Sequence, residues 1–192
     1  MVNTFLNDEQ TYLDNLKSLL SAGKKTHDIK EDFYQLIVDS PFNDPLAATY
    51  LGLGIVVLLL VDDSGKIIQR VALSNTEHAA GAVKTSEKSF KQILIPLNNE
   101  KNIISQAIRT SQTKVTEDWK YLFTPALSAA SARFNQAGAG IECSIVEPFN
   151  YNPHGAALIF SLYQYPTNIE RIKYFTCRYA EIVGDVLSRS RY

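Results

Sequence analysis

Cys143 is a candidate catalytic thiol, and the sequence sets it between Glu142 and Ser144 in a largely apolar run. A thiol becomes a nucleophile when a cationic neighbour or a helix N-terminus lowers its pKa and solvent reaches it. His154 lies across a turn-rich stretch from it and is the group placed to approach. The inert reading is preferred, because free cysteine is among the most buried residue types. Cys177 falls near the apolar stripe of a helix, where packing explains it. Two cysteines are too few for a disulfide framework and form no metal-ligand cluster. The three histidines, His27, His78 and His154, stand apart, and none meets a second ligand at helical spacing. The residues therefore predict no metal site and no catalytic residue. A haem-ligand reading is open to His78 in its loop, with a solvated side chain as the simpler account, and no cofactor is identified.

A second group of residues points to binding. If 141–146 is an inner strand, Glu142 and Ser144 share one of its faces, and a buried carboxylate needs a partner. They would then face a polar cavity, where a ligand or Arg133 satisfies them. The other reading puts Glu142 at the open end of the strand, hydrated, and both stand at this point. Asp118 and Trp119 could close such a cavity, the indole offering apolar area and an N–H donor. Equally, Asp118 caps the following turn and Trp119 fills the core. Asp118, Trp119, Arg133, Glu142 and Ser144 make up the candidate ligand-binding set. Gly23 to Thr26, reading GKKT, is no phosphate loop: the glycine that motif needs is replaced by Ser18, and no strand precedes it.

The elements that must position these residues follow from periodicity. Asn7, with Gln10 three residues on, predicts a helix whose stripe is Tyr12, Leu13, Leu16, Leu19 and Leu20, closed by Gly23. Asp28 and Glu31 repeat that spacing before a helix carrying Ile29, Phe33, Leu36 and Ile37, which Pro41 stops. From Gly54 the chain reads GIVVLLLVDD, apolar on both alternating sets, which predicts a strand covered on both faces at the centre of a sheet. Asp63-Ser64-Gly65 turns it into a second strand, Lys66 to Leu73, whose Gln69 and Arg70 predict exposure near an edge. Ser74 to Ser89 reads as a loop or a short irregular helix, and Phe90 to Leu97 as a third strand. Ile103, Ile104, Ala107 and Ile108 form a helical stripe, Val115 lies in a short extended piece, and 125–135 predicts a helix broken by Gly138 and Gly140. Two strands, 141–146 and 156–163, precede a long helix capped by Thr167 or Asn168. Its stripe runs from Ile169 to Val186.

Composition bounds the rest. A chain of 192 residues with 45% hydrophobic and 20% charged residues suits one ordinary domain with an appended element. A net charge of −1 gives no overall footprint for nucleic acid. The apolar run at 51–61 is too short to span a bilayer, which takes about 20 residues. No basic region leads into an apolar one at the N-terminus, so no signal peptide is expected. The expectation is a cytoplasmic protein with reduced thiols and no membrane contact.

Three stretches together resemble GAF domains over roughly 28–189. GIVVLLLVDDSGKI is similar to that family's first hairpin, and NIISQAIRTSQTKVTEDW to its mid-domain helix, short strand and Asp. IECSIVEP and GAALIFSLYQYP, followed by an amphipathic helix, are similar to its last hairpin and exit helix. The resemblance implies an α+β sandwich with a central antiparallel sheet of five to six strands. Terminal helices would cover one face; short helices and loops would cover the other, with a ligand cavity between. It divides the chain into an N-terminal helix and linker (1–27) and the domain itself (28–192). It also implies dimers paired through Asp8–Leu20 and Asn168–Leu187. The cyclic-nucleotide pattern, the bilin-attachment cysteine and the cysteine motifs of the methionine-sulfoxide-reducing members have no counterpart here. The expectation is a non-catalytic sensory or regulatory domain that passes its output to another protein. A thiol enzyme using Cys143 and a ligand-free interaction scaffold are the alternatives.

Overall fold

The run GIVVLLLV folds as β1 (Leu53–Val61), and the rest of the molecule is arranged about it. The structure is a computed structural model that describes residues 4–26, 30–151 and 153–189. The other strands are β2 (Ile67–Leu73), β3 (Leu94–Pro96), β4 (Lys114–Thr116), β5 (Cys143–Phe149) and β6 (Ala156–Leu162). The helices are α1 (Thr4–Thr26), α2 (Lys30–Asp39), α3 (Pro45–Leu51), α4 (Glu77–Thr85), α5 (Ile103–Thr110), α6 (Lys120–Phe123), α7 (Ala129–Ala139) and α8 (Ile169–Ser188). The six strands form one antiparallel sheet in the order β3-β2-β1-β6-β5-β4, with β1 in the interior. This is the α+β sandwich that the sequence predicts.

Alternation along β1 assigns its side chains to two cores. Val56 and Leu58 join α1, α2 and α8, through Leu13, Leu16, Leu20, Phe33, Ile37, Phe175 and Tyr179. Ile55, Val57, Leu59 and Val61 face α5, α6 and α7, through Ile104, Trp119, Leu122, Phe123 and Ala132. Burying one such side chain contributes about 1.5–3 kcal/mol, so neither face is dispensable. On the first face, which we call the helical face, the Tyr179 hydroxyl also donates to Ile37 O at 2.6 Å and ties α8 to α2.

Several boundaries differ from the sequence reading. Helix α1 begins at Thr4 and continues through Gly23, so Asn7 is not its cap and Gly23 does not end it. Asp28, Ile29 and His27 lie outside the described residues. Helix α3 was not expected. Asp44 starts it by accepting from Leu46 N and Ala47 N, with Pro45 in the first turn, and Gly52 closes it at φ +64°. The third strand is only three residues long, because Phe90–Gln92 winds into a 3-10 turn boxed by Ser89. The helix expected over 125–135 is α7, which starts later, from the Ser128 cap, and runs to Gly140 with Gly138 inside it, while the short α6 before it was not expected. Of the two readings of 74–89, a loop or a short helix, the structure has the helix, α4, capped by Thr76. This helix lacks a large apolar stripe because it approaches α7 through small residues. A Cβ on Gly81 would stand 2.5 Å from Gly138 O. Asn168, as expected, caps α8 by accepting from Arg171 N.

Candidate functional site

The site begins with an extra residue in β2. Leu58 pairs with Ala72 but Leu59 pairs with Arg70, so Val71 is a β-bulge. Before the bulge Ile68 and Arg70 point to the face opposite α1, α2 and α8; after it Leu73 does, and Ala72 turns to the helical face. Gln69 is exposed, as the sequence predicts. Arg70 is not: it lines a cavity of about 170 Å³ between the sheet and the helices α4, α6 and α7. Ile55, Val57, Ile159 and Ser161 make the floor, Phe90, Trp119 and Phe123 the walls, and Ala82, Val83 and Asn135 the roof.

The guanidinium of Arg70 is held on one edge. Its Nε and Nη2 donate to Phe90 O at 3.1 and 2.9 Å, and its carbon lies 4.3 Å from the Phe90 ring centroid and 5.5 Å from that of Phe123. No carboxylate forms an ion pair with it among the described residues. Burial alone pushes its pKa down, to about 9, so it stays cationic at neutral pH. A cation–π contact contributes about 0.5–2 kcal/mol. Removing an ion from water costs several kcal/mol, so the rings and the carbonyl leave the charge undercompensated.

The roof and wall supply further polar groups. Asn135 is 3% exposed, and its Oδ1 accepts from Thr85 Oγ1 at 2.9 Å. Its amide nitrogen has no hydrogen-bond partner among the described residues. The Trp119 indole donates to Ser144 Oγ at 2.9 Å, and Ser144 and Ser161 share a 2.8 Å hydroxyl bond. Trp119 N donates to Gln136 Oε1 at 2.8 Å, which fixes the start of α6 against α7.

Of the five residues predicted for binding, only Trp119 lines the cavity. Ser144 is fully buried behind it and acts through the indole and Ser161. Asp118 stands just before α6, accepting from Lys120 N at 2.9 Å, and takes a two-nitrogen bond from Arg133 at 2.8 and 3.0 Å. Those hydrogen bonds and the Arg133 charge hold the Asp118 carboxyl low against the effect of burial. Arg133 is exposed and so does not answer Glu142, which corrects the pairing proposed above. Glu142 is exposed just before β5 begins, on the solvent side, and is absent from the cavity wall. The reading that put it inside the cavity is overturned by its place at the strand end. The buried carboxylate of this strand is Glu147, 2% exposed, which accepts from Thr113 and Thr176 at 2.6 Å each. Burial raises its pKa despite those two bonds.

Cys143 is fully buried, and burial, reinforced by Glu117, pushes its thiol up to about 11. His154 contacts Asp63 O at 3.2 Å, not Cys143. His78 stacks on Tyr163 with ring centroids 5.0 Å apart, and its Nδ1 lies 2.7 Å from Ala139 O. It therefore braces α4 against α7 and is not a solvated loop side chain. Sequence reasoning missed Arg70, Asn135 and Ser161. The signal for Arg70 was a lone cation inside an apolar strand, two residues from Ile68 and therefore on the same face; the bulge that follows redirects Ala72, not Arg70.

No protein-family model matches the sequence, and no curated protein matches it. Solved structures do match in fold. The GAF domain of an Acinetobacter phosphoenolpyruvate-protein phosphotransferase superposes with a TM-score of 0.59 at 10% identity, over 99% of this chain and 96% of that one. The A. aeolicus nlh2 GAF domain in an inactive state gives 0.60 at 8% identity, over 95% and 99%. The free methionine-R-sulfoxide reductase of Neisseria meningitidis, solved with its substrate, gives 0.59 at 14% identity, over 100% and 95%.

Proposed function

Starting from a chain that has the GAF-domain fold, we propose that it is a non-catalytic, small-molecule-sensing regulatory domain whose ligand occupies the cavity under α4 and α7. The observation that carries this reading is the cavity itself. It keeps about 170 Å³ open between the sheet and those helices and is lined by a half-buried cation and a buried amide with donors to spare. A collapsed scaffold would fill that space with its own side chains. The thiol-enzyme alternative loses its nucleophile, since a buried thiol pushed up to about 11 is protonated at neutral pH.

Signalling requires that the ligand favour one arrangement of the chain over another. The sheet connects the cavity to the helical face, because neighbouring residues of β1 and β2 contact opposite cores. Pairing of two copies through Asp8–Leu20 and Asn168–Leu187 is part of the proposal. It rests on what those helices leave outward, including Leu19 and Tyr174, since Leu13, Leu16, Leu20, Phe175 and Tyr179 are buried within one chain. Light scattering is expected to give a dimer; a monomer at high concentration removes the pairing. Output would pass to a separate protein, in the cytoplasm. Among the described residues no helix is long and apolar enough to cross a membrane.

The test of the ligand reading is a thermal-shift screen of a metabolite library on the full chain. Ala82→Leu, which places a larger side chain in the cavity roof, serves as the control. Hits that stabilise the wild type and lose their effect in Ala82→Leu are expected. A library without hits, or hits that act equally on both proteins, would count against it.

A further inference from the structure

Resting on that ligand-binding reading, we infer that the ligand is a small monocarboxylate with an apolar body, its carboxylate held by the free edge of Arg70 and by the Asn135 amide. Charge selects the acid. Arg70 is a cation inside a mostly apolar cavity, and among the described residues no carboxylate pairs with it. The other charged residues of the lining, Glu87 and Lys88, are exposed at its rim, and Lys88 is bonded through Nζ to Ala126 O at 2.6 Å. One guanidinium neutralises one negative charge, whereas a dianion would keep a second charge unpaired against Ile55, Val57 and Ile159.

Geometry selects the planar anion. Phe90 O fixes Nε and Nη2, and the Phe90 ring lies against the guanidinium, so the plane of the fork is set before any ligand arrives. The Nη1 donors and the second Nη2 hydrogen have no partner among the described residues and remain for a carboxylate, which accepts two parallel bonds, one from each nitrogen of that edge. Asn135 contributes one further donor from the roof, its Oδ1 being taken by Thr85. Size selects the body. A cavity of roughly 150 Å³ takes benzene, and this one measures about 170 Å³. The body is therefore of the order of six to ten non-hydrogen atoms in all, facing the apolar floor and the rings of Trp119 and Phe123.

Calorimetric titration of the full chain with matched pairs tests this: benzoate against benzamide, and isovalerate against isovaleramide. The acids are expected to bind and the amides to bind at least about tenfold more weakly, because a hydrogen bond to a charged group is worth that factor or more. Arg70→Met should weaken the acids by about ten- to a hundredfold and leave the amides unchanged. Arg70→Lys keeps the charge without the fork and should fall between, which separates recognition from misfolding if the Met variant fails to fold. Amides that bind as tightly as acids, or acids indifferent to both Arg70 variants, would overturn the carboxylate assignment and leave the cavity a ligand site of another class. Inorganic phosphate binding as tightly as benzoate would overturn it too. Binding by neither series, with no hit from the metabolite screen, would sink this assignment and the sensing proposal together.

Discussion

Glu147 and Arg70 set a charge against opposite faces of the sheet, and the two are treated differently. On the helical face Glu147 lies between β5 and α8, and two threonine hydroxyls at 2.6 Å occupy its oxygens. On the opposite face Arg70 has one carbonyl and two rings, with Nη1 donors left over and about 170 Å³ of open space beside it. The surroundings close as well around the first as hydroxyl groups allow. Around the second they stop short. A buried group whose partners are complete is structure; one whose partners are missing beside a cavity marks where something else binds.

The contrast predicts a graded set of responses. Phe160, fully buried on the helical face with its ring 6.1 Å from that of Tyr179, has no space beside it. Phe160→Ala should cost about 3–5 kcal/mol in urea unfolding. A loss well below 1 kcal/mol would mean that the helical face is not the tightly packed one. Matched enlargements ask the same question in reverse. Ala180→Leu, at a site 2% exposed on α8, should destabilise by about 1–3 kcal/mol through overpacking. Ala82→Leu, in the cavity roof, should be neutral or stabilise by about 0.5–2 kcal/mol. Equal costs at the two sites would erase the difference between the faces.

A smaller effect comes from pH. Burial raises the Glu147 pKa above its ordinary 4.5, so the folded chain holds that proton more tightly than the unfolded chain does. Its contribution to stability is complete below pH 4.5 and is lost as pH rises through the raised value. Glu147→Gln should flatten that decline in melts across the range, and an unchanged slope would put the decline elsewhere. The smallest expected change is chemical. Cys143, fully buried, should react slowly with alkylating agents in the folded protein at neutral pH, and fast labelling that Cys143→Ser abolishes would restore the thiol reading.

The sequence made the architecture legible because alternation in GIVVLLLV and the helical stripes report burial directly. Both faces of β1 were readable from eight letters. Helix α4 was legible only as one of two alternatives, since glycine and alanine let it dock on α7 without an apolar stripe. The site was legible only at Trp119. Glu142 attracted attention as the polar residue of an apolar strand, but the strand starts one residue later, and the buried acid is five positions on. Arg70 was read as an edge residue on its charge and its exposed neighbour Gln69, although alternation from Ile68 already sets it on the cavity face; the bulge at Val71 changes only the facing of Ala72 and Leu73. Asp118 and Arg133 illustrate a different limit: their types fit a pocket, yet they satisfy one another at 2.8 Å on the outside.

The central claim is that the cavity beside Arg70 holds a small acid. Native mass spectrometry of the wild type and of Arg70→Met, each purified from the protein's own cells, tests it most directly. The account predicts a retained small acid on the wild type and none on Arg70→Met. A wild type that carries nothing, or an adduct that Arg70→Met retains equally, would contradict it.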